Sequence, residues 1–266
     1  MKIMLCESIK EEDIKNLNGN WKANIKFDGD RIIAIKKGKD VFLMSRSGNE
    51  KSKVFPEVTR ELKKSDDDFI IDGEIITTDG LFNSLQKRSN LSKDYLIKEA
   101  EIKIPIRYMV FDVLSYNGKN LTNKPLKERI NYWDKITFKI VKPINIKVMF
   151  CQYEDIKECL DYAKTSHQEG IVIKNMDSIY EGKRSQDWKK LKFFNEGELV
   201  VTHYTENNGG IRVEDEYGIA VQVAKDVKKV KEKIDRDGYC EIYIQYLEMT
   251  KDNKYRNISY RGIKNG

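Results

Sequence analysis

Alternation of apolar and polar residues predicts β-strands in several parts of the chain. Residues 31–36 (RIIAIK) and 41–46 (VFLMSR) flank a polar turn, which is the pattern of a β-hairpin. β-Branched and aromatic residues concentrate again in four further segments, which we also predict to be strands: 69–76, 106–114, 147–152 and 170–174.

Helical spacing appears between these strands. Residues 124–136 carry Pro125 at their start and apolar residues at helical intervals, namely Leu126, Ile130 and Trp133. Ile156, Leu160 and Ala163 mark a second amphipathic stretch. Strands and helices mix without strict alternation, which favours an α+β fold with antiparallel sheets over a doubly wound parallel sheet.

The pattern changes near the carboxy-terminal quarter of the chain. Short strands are predicted at 198–204, 211–215, 217–223, 239–250 and 255–263, with one lysine-rich amphipathic helix at 226–234. Five strands and one helix indicate an OB-fold barrel. Because glycine and acidic residues separate the two patterns, we predict two domains, 1–196 and 197–266.

Composition adds modest constraints. Lys and Arg outnumber Asp and Glu by 49 to 43, which allows a basic face toward a polyanion without requiring one. Four scattered cysteines with no Cys-Xaa-Xaa-Cys pair indicate neither a zinc site nor a disulfide framework. No segment reads as a secretory signal or a membrane span, so we expect a soluble, cytoplasmic protein away from membranes.

The most informative motif is Lys26-Phe27-Asp28-Gly29, a lysine two places before an Asp-Gly turn. Alone, it is equally well explained as a charged strand end and a turn. It is followed in order by further short elements: SRSG at 45–48, DGE at 72–74, YMVFD at 108–112, EGIVIK at 169–174 and WKKLK at 188–192.

These elements, in this order, resemble the covalent nucleotidyltransferase superfamily and, within it, the small ATP-dependent DNA ligases. The resemblance extends from Lys26 to Lys264 and includes FNSLQKR at 82–88 and PLKER at 125–129. It implies a minimal, two-domain ligase, with an antiparallel-sheet adenylation domain followed by an all-β OB-fold domain. The implied ligands are ATP, Mg²⁺ or Mn²⁺, and nicked duplex DNA, bound by a monomer.

The resemblance also implies a three-step reaction. Lys26 attacks the α-phosphorus of ATP, releases pyrophosphate and becomes lysyl-AMP. AMP then passes to the 5′-phosphate at a nick, and the 3′-hydroxyl displaces AMP to seal the strand. Nick sealing of this kind serves DNA repair, replication and recombination. Both reactants are charged, so positioning and charge neutralisation are expected to dominate catalysis.

Each motif supplies residues with an implied role. The catalytic set is Lys26, Lys190, Lys192 and Arg256; the nucleotide-binding set is Asn24, Ile25, Lys26, Arg31, Arg46, Glu74, Phe111, Lys174, Lys190 and Lys192; the metal ligands are Glu74 and Glu169. Phe111 offers a flat face to adenine and Lys174 a stacking or phosphate-facing side chain. Strand core is the alternative role for Phe111, and Trp188 is expected to belong to the core and not to contact the nucleotide.

A reactive lysine must lose its proton before it attacks, so its surroundings matter. Lys190 and Lys192 occupy alternate positions and hence one face of a strand. A like charge ~4 Å away, at an effective dielectric constant of ~20, costs roughly 4 kcal/mol. That is enough to bring an ordinary lysine pKa of ~10.4 toward neutrality. We therefore expect these cations to activate Lys26, with a metal ion sharing the task.

Two positions depart from the family pattern. Asn24 stands where glutamate often reads the adenine amino group, and its amide oxygen can accept the same hydrogen bond. Lys264 stands where small ligases often have arginine, in the segment that begins with Arg256. These departures bear on nucleotide recognition and on pyrophosphate departure.

Two other classes of function stay open at this point. An RNA ligase or a GTP-dependent capping-type nucleotidyltransferase shares the lysine chemistry. A non-catalytic nucleic-acid-binding protein with an OB-fold is the other alternative, but decay would remove part of the set formed by Lys26, Glu74, Glu169, Lys190 and Lys192. All five are present.

Overall fold

The computed structural model describes residues 2–137, 147–166, 168–249 and 254–264. The chain separates into two units, residues 1–192 and 193–266. Both α-helices and mainly antiparallel sheets are present, so the α+β class is confirmed.

The described part of the first unit contains ten strands, five α-helices and two 3-10 helices. The strands are β1 (Leu5–Ser8), β2 (Trp21–Ile25), β3 (Asp30–Lys37), β4 (Asp40–Ser45), β5 (Phe69–Thr77), β6 (Ile106–Tyr116), β7 (Lys119–Asn120), β8 (Val148–Phe150), β9 (Gly170–Asn175) and β10 (Arg184–Lys192). The helices are α1 (Pro56–Leu62), α2 (Phe82–Ser89), α3 (Asp94–Lys103), α4 (Leu126–Ile130) and α5 (Ile156–Thr165), with 3-10 turns at Glu11–Asn16 and Trp133–Lys135.

Two sheets organise this unit. The larger sheet has the order β4-β3-β5-β6-β7, with β8 added beside β6 in parallel. The smaller sheet has the order β1-β10-β9-β2, in which only the β1–β10 pairing is parallel. The hairpin predicted from the first alternating segments is confirmed as β3 and β4, paired from Ile32 with Ser45 to Lys37 with Asp40.

Alternation along the strands divides the core of this unit into two layers. Phe69, Ile71 and Ile75 of β5 face an apolar cluster that α1 and α2 also enter. A second cluster joins the two sheets and contains Phe111 from β6 and Trp188 from β10. Asp72 and Glu74 of β5 lie on the side of this second cluster, so the alternation along β5 places both carboxyl groups on one face.

The helix predicted over 124–136 is wrong in extent. It forms as α4 and a separate 3-10 turn. Trp133 of that turn stacks on Phe150, with ring centroids 5.4 Å apart, while Arg129 of α4 is fully buried. Because α4 and the 3-10 turn pack against different parts of the core, they do not continue as one helix. The second predicted helix is confirmed as α5, where Asp155 caps the helix by accepting a hydrogen bond from the Lys157 amide.

The second unit is mainly β-structure. Its elements are β11 (Asn195–Val201), β12 (His203–Asn207), β13 (Gly210–Glu214), β14 (Ala220–Val223), α6 (Val227–Asp237), β15 (Cys240–Tyr246), β16 (Glu248–Met249), β17 (Tyr255–Arg256) and β18 (Ser259–Ile263). They pair as β11-β15-β18, β12-β13-β14 and β16-β17. Val230 and Ile234 of α6 are buried against them. The boundary expected between 196 and 197 falls inside β11, and the units divide a few residues earlier.

Candidate active site

A pocket of about 300 Å³ opens in the first unit. All ten residues of the predicted nucleotide-binding set line it: Asn24, Ile25, Lys26, Arg31, Arg46, Glu74, Phe111, Lys174, Lys190 and Lys192. Strand alternation explains the convergence, because residues two apart on β9 and on β10 point to the same side of the sheet. Lys190 and Lys192 thus reach the pocket together from β10.

Lys26 is held at the end of β2 by pairing with β9. Ile25 lies opposite Ile171, and the Lys26 amide donates to the Gly170 carbonyl at 2.9 Å. Gly29, three residues later, approaches β5 so closely that a Cβ atom there would lie 2.2 Å from the Ile75 carbonyl oxygen. The glycine of the motif is therefore required by packing, and it brings Lys26 near the polar face of β5.

Glu169 bridges two of the predicted catalytic lysines. Its Oε2 accepts a hydrogen bond from Lys26 Nζ, and its Oε1 lies 2.7 Å from Lys192 Nζ. The side chain of Glu169 is 8% exposed. Burial raises the pKa of this carboxyl group, but attraction by the two ammonium groups outweighs burial, so its pKa is lowered. Glu169 is therefore a charged carboxylate shared between two cations.

The expected activation of Lys26 by the two lysines of β10 stays a prediction, and the structure adds one feature to it: the Glu169 carboxylate lies between Lys26 and Lys192. Lys190 is the cation that experiences crowding, because burial and repulsion from Lys192 lower its pKa. The sequence pattern located the lysines on one face but did not reveal the carboxylate between them.

Arg31 is held by a buried carboxylate. Its Nε and Nη2 donate to Asp72 at 2.6 and 2.7 Å, in the forked geometry that guanidinium groups form with carboxylates. Tyr180 donates its hydroxyl hydrogen to the same carboxylate at 2.7 Å. Asp72 therefore orients Arg31, so this arginine presents only part of its hydrogen-bonding capacity to the pocket.

Phe111 belongs to both the core and the pocket wall. The residue is 8% exposed, and its ring forms an edge contact with Trp188, with centroids 6.1 Å apart. Arg31 Cζ lies 4.6 Å and Lys174 Nζ 4.1 Å from the ring centroid. The two alternatives for this side chain, strand core and nucleotide contact, are therefore compatible.

Asn24 and Glu74 supply neutral and ionisable oxygens to the same pocket. Asn24 Nδ2 donates to the Gln152 carbonyl at 3.1 Å, which fixes the orientation of the amide. Glu74 lies on the same side of β5 as Asp72, near Arg31 and Lys26. Burial raises the pKa of Glu74 to about 8, against the opposing attraction of these cations.

Lys174 is deeply buried, at 2% exposure. Its Nζ donates to the Tyr153 hydroxyl at 2.8 Å and lies 4.1 Å from the ring centroids of both Phe111 and Trp188. Burial lowers the pKa of Lys174 to about 8, although the charge of Asp112 opposes this effect. The lysine is thus enclosed by aromatic rings at the pocket wall.

The residues that the structure describes do not form a metal site by themselves. Within the described ranges, no group of three or more His, Cys, Asp or Glu side chains is placed to hold a metal ion. Both oxygens of Glu169 already contact lysines. Mg²⁺ commonly binds through one or two carboxylates together with substrate phosphates and water. The two predicted ligands therefore fit an ion shared with a nucleotide and do not fit a preformed protein cage.

The remaining predicted residue, Arg256, belongs to the second unit. Its Nη1 lies 2.9 Å from Glu248 Oε1, across the β16–β17 pair. Lys264, the residue that departs from the family pattern, lies 2.5 Å from Glu198 and 3.4 Å from Glu241.

Sequence reasoning missed several residues of the pocket wall. Leu5 and Cys6 reach it because β1 pairs in parallel with β10, and Cys151 and Val172 also line it. The apolar run at 3–6 was the available signal, but a run that short does not reveal its partner strand. Tyr153, which forms hydrogen bonds with two residues of the pocket wall, Phe111 and Lys174, was also missed, because it lies in a loop.

Comparison with known proteins identifies the family. Residues 3–192 match the family described as ATP dependent DNA ligase domain. This chain belongs to the ATP-dependent DNA ligase domain family. The matched segment coincides with the first unit and contains the whole pocket.

Individual ligases are similar to the chain over most of its length. DNA ligases of Saccharolobus islandicus (strain L.S.2.15 / Lassen #1) and Saccharolobus solfataricus (strain P2) are each 30% identical to it over 214 residues, or 75% of the chain. The match spans 35% of the length of each of these ligases.

Solved ligase structures share the fold. A Lig E DNA ligase superposes with a TM-score of 0.72 at 17% identity, covering 99% of each chain. Mycobacterial DNA ligase D complexed with ATP and MES gives 0.58 at 18% identity, covering 99% of this chain and 94% of that one. Among the helices that the structure describes here, none has the length and apolar character needed to cross a bilayer.

Proposed function

We propose that this chain is an ATP-dependent DNA ligase that seals nicks through a Lys26–AMP intermediate. The convergence of all ten nucleotide-binding residues predicted from sequence on one pocket is the observation that supports it most strongly. Family membership supports the same activity. The substrates and partners of the longer relatives are assigned to this chain only as part of this proposal.

Lys26 is the proposed nucleophile. Its nitrogen forms a bond to the α-phosphorus of ATP, the bond from that phosphorus to pyrophosphate breaks, and the amine loses its proton. Glu169 Oε2, which already accepts a hydrogen bond from Lys26 Nζ, is placed to take this proton. Its lowered pKa makes it a weak base in the nucleotide-free protein. Anionic phosphates that attract Lys192 away from Glu169 would strengthen that base.

Lys190 and Lys192 are proposed to bind the phosphates. Both extend from β10 into the pocket and are partly exposed there. Lysine ammonium groups placed where negative charge develops stabilise the transition state of phosphoryl transfer. Arg46 is exposed at the same pocket and is free to contact the phosphates or the nick 5′-phosphate.

The nucleoside is proposed to lie against the apolar part of the pocket. Asn24, with Nδ2 committed to Gln152, offers Oδ1 to the adenine amino group, and Ile25 adds apolar contact. Phe111 contributes its exposed edge. Glu74 is also proposed to contact the ribose, since it lines the same pocket.

A divalent ion is proposed to bind with the nucleotide. Glu169 and Glu74 would hold it together with phosphate oxygens, and the ion would supply charge neutralisation at the α-phosphate. This requires Glu169 to exchange at least one of its lysine contacts for the ion.

We propose that the first unit is the adenylation domain and that the second unit is an OB-fold that binds DNA. Short antiparallel strands together with helix α6 support the assignment. Arg256 is proposed to assist pyrophosphate departure after exchanging Glu248 for phosphate. We propose a monomer that acts in the cytoplasm, where its DNA substrate lies.

DNA binding should depend steeply on salt, because it relies on lysines such as those of α6. Affinity for a nicked duplex is expected to fall at least tenfold between low and moderate salt. Equal affinity at both salt concentrations would contradict this part of the proposal.

Sealing of a singly nicked duplex tests the proposed function. The purified chain is incubated with Mg²⁺, the nicked substrate and ATP, with GTP and NAD in parallel, and with an RNA duplex carrying the same nick. Sealing of DNA with ATP supports the proposal. Sealing of RNA alone, or use of GTP alone, would replace it with one of the related activities, and binding without sealing would favour a non-catalytic protein.

A further inference from the structure

Lys174 lies at the pocket with its charge enclosed by protein. Its Nζ faces two aromatic rings, those of Phe111 and Trp188, and donates a hydrogen bond to the Tyr153 hydroxyl. In the part of the chain that the structure describes, no carboxylate oxygen lies within 4.0 Å of this Nζ. Because a buried ammonium group is costly without polar partners, the Tyr153 oxygen is a principal partner of this cation.

Tyr153 also contacts the backbone of Phe111, the residue whose ring the nucleobase is proposed to contact. Its hydroxyl donates to the backbone carbonyl of Phe111 at 2.7 Å. The Tyr153 hydroxyl therefore links the Lys174 ammonium group on β9 to the Phe111 backbone on β6. Burial raises the pKa of Tyr153 well above its ordinary value, so the hydroxyl keeps the proton that it donates.

The loop that carries Tyr153 orients a second base-facing residue. The Gln152 carbonyl accepts the hydrogen bond from Asn24 Nδ2. The next loop residue, Glu154, forms a two-way backbone bridge with Ala23, with N–O distances of 2.9 and 3.0 Å. The loop is thus fixed to β2 beside Asn24, and it sets the positions of Asn24 and Phe111 together.

We propose that Tyr153 is a positioning residue for the nucleotide: its hydroxyl aligns Lys174 and Phe111 into the surface on which the base of ATP rests. This inference depends on the proposed function, since it assigns a role within the same pocket. Tyr153 is not needed for the displacement at phosphorus. Removing its hydroxyl therefore weakens ATP binding and leaves the rate of the chemical step nearly unchanged.

The substitution Tyr153→Phe isolates the hydroxyl. The ring is retained, but Lys174 Nζ loses its acceptor and the Phe111 carbonyl loses its donor. We expect the ATP concentration that gives half the maximal adenylation rate to rise about tenfold, as for the loss of one hydrogen bond to a charged group. The maximal single-turnover rate is expected to stay within about twofold of the parent.

Single-turnover labelling with α-labelled ATP and Mg²⁺ over a range of ATP concentrations is the test. Tyr116→Phe is the matched control, because it removes a hydroxyl that bonds Asp67 and the Lys135 carbonyl, away from the pocket. This control should leave both the half-saturating ATP concentration and the maximal single-turnover rate unchanged. If the parent chain itself is not labelled, the proposed function fails. If the parent is labelled and Tyr153→Phe has the parent's half-saturating concentration, the positioning role is overturned.

A second pair of variants tests the same contact from the other side. Lys174→Gln keeps an N–H donor for the Tyr153 hydroxyl, whereas Lys174→Met removes it. We expect the half-saturating ATP concentration to rise more in the methionine variant than in the glutamine variant. Equal increases would overturn the role of this hydrogen bond, even if Tyr153→Phe does not fold.

Discussion

Replacing Lys174 with methionine should change how the stability of the first unit depends on pH. Burial lowers the pKa of this lysine from its ordinary value of 10.5 to about 8 in the folded chain. Between these two values the unfolded chain holds a proton that the folded chain has lost. The free energy of unfolding should therefore rise with pH across this interval because of Lys174.

The size of the effect follows from the interval. From about 8 to 10.5, at about 1.36 kcal/mol per pH unit, it amounts to roughly 3 kcal/mol. Below pH 8, Lys174 is charged in both states and the cost of burying its charge is fully present. Lys174→Met removes the titration while keeping an unbranched side chain of similar length among the aromatic rings.

Urea unfolding followed by tryptophan fluorescence measures this directly. All three tryptophans, Trp21, Trp133 and Trp188, belong to the first unit, so the signal reports that unit. Between pH 7.5 and 10.5, the stability of the parent should rise by up to roughly 3 kcal/mol relative to Lys174→Met. Lys157 is exposed, so Lys157→Met is the control. Its free energy of unfolding should change with pH in the same way as that of the parent. If the difference in free energy of unfolding between the parent and Lys174→Met stays constant over this pH range, the reasoning is refuted.

Three further substitutions have defined outcomes. Glu169→Gln removes the carboxylate shared by Lys26 and Lys192, so the rate of adenylate labelling should fall at least about tenfold, and an unchanged rate would count against the proposed role of Glu169. Gly170→Ala should lower the urea concentration at the midpoint of unfolding, because Gly170 has a φ of +152° and the new Cβ would lie 2.0 Å from the Leu191 carbonyl oxygen of β10. A midpoint equal to that of the parent would disprove the clash. Asp112→Asn leaves Arg129 buried without its counter-charge and should cost about 3–5 kcal/mol by urea unfolding, whereas a loss below about 1 kcal/mol would contradict this.

The parts of the site that sequence could predict are those set by local periodicity. Lys190 and Lys192 share a face because they lie two apart on one strand, and Asp72 and Glu74 do so on β5 for the same reason. The lysine before the Asp-Gly turn and the order of the later motifs were enough to assemble the residues of one pocket.

The parts that sequence could not predict depend on contacts between distant segments. Glu169 reaches Lys26 only because β2 pairs with β9, a register that no local pattern encodes. Tyr153 lies in a loop without periodicity, so nothing in its neighbourhood indicated a polar role. Arg88, in the stretch that resembles ligases, is fully buried on Glu57 and is therefore a structural cation, which charge counting did not reveal.

The most direct test of the central claim is intact-mass measurement after exposure to ATP and Mg²⁺, followed by peptide mapping. The account predicts a single added adenylyl group on Lys26, absent from Lys26→Ala and released by pyrophosphate. No added mass, or an adenylyl group mapped to another residue such as Lys174, would contradict it.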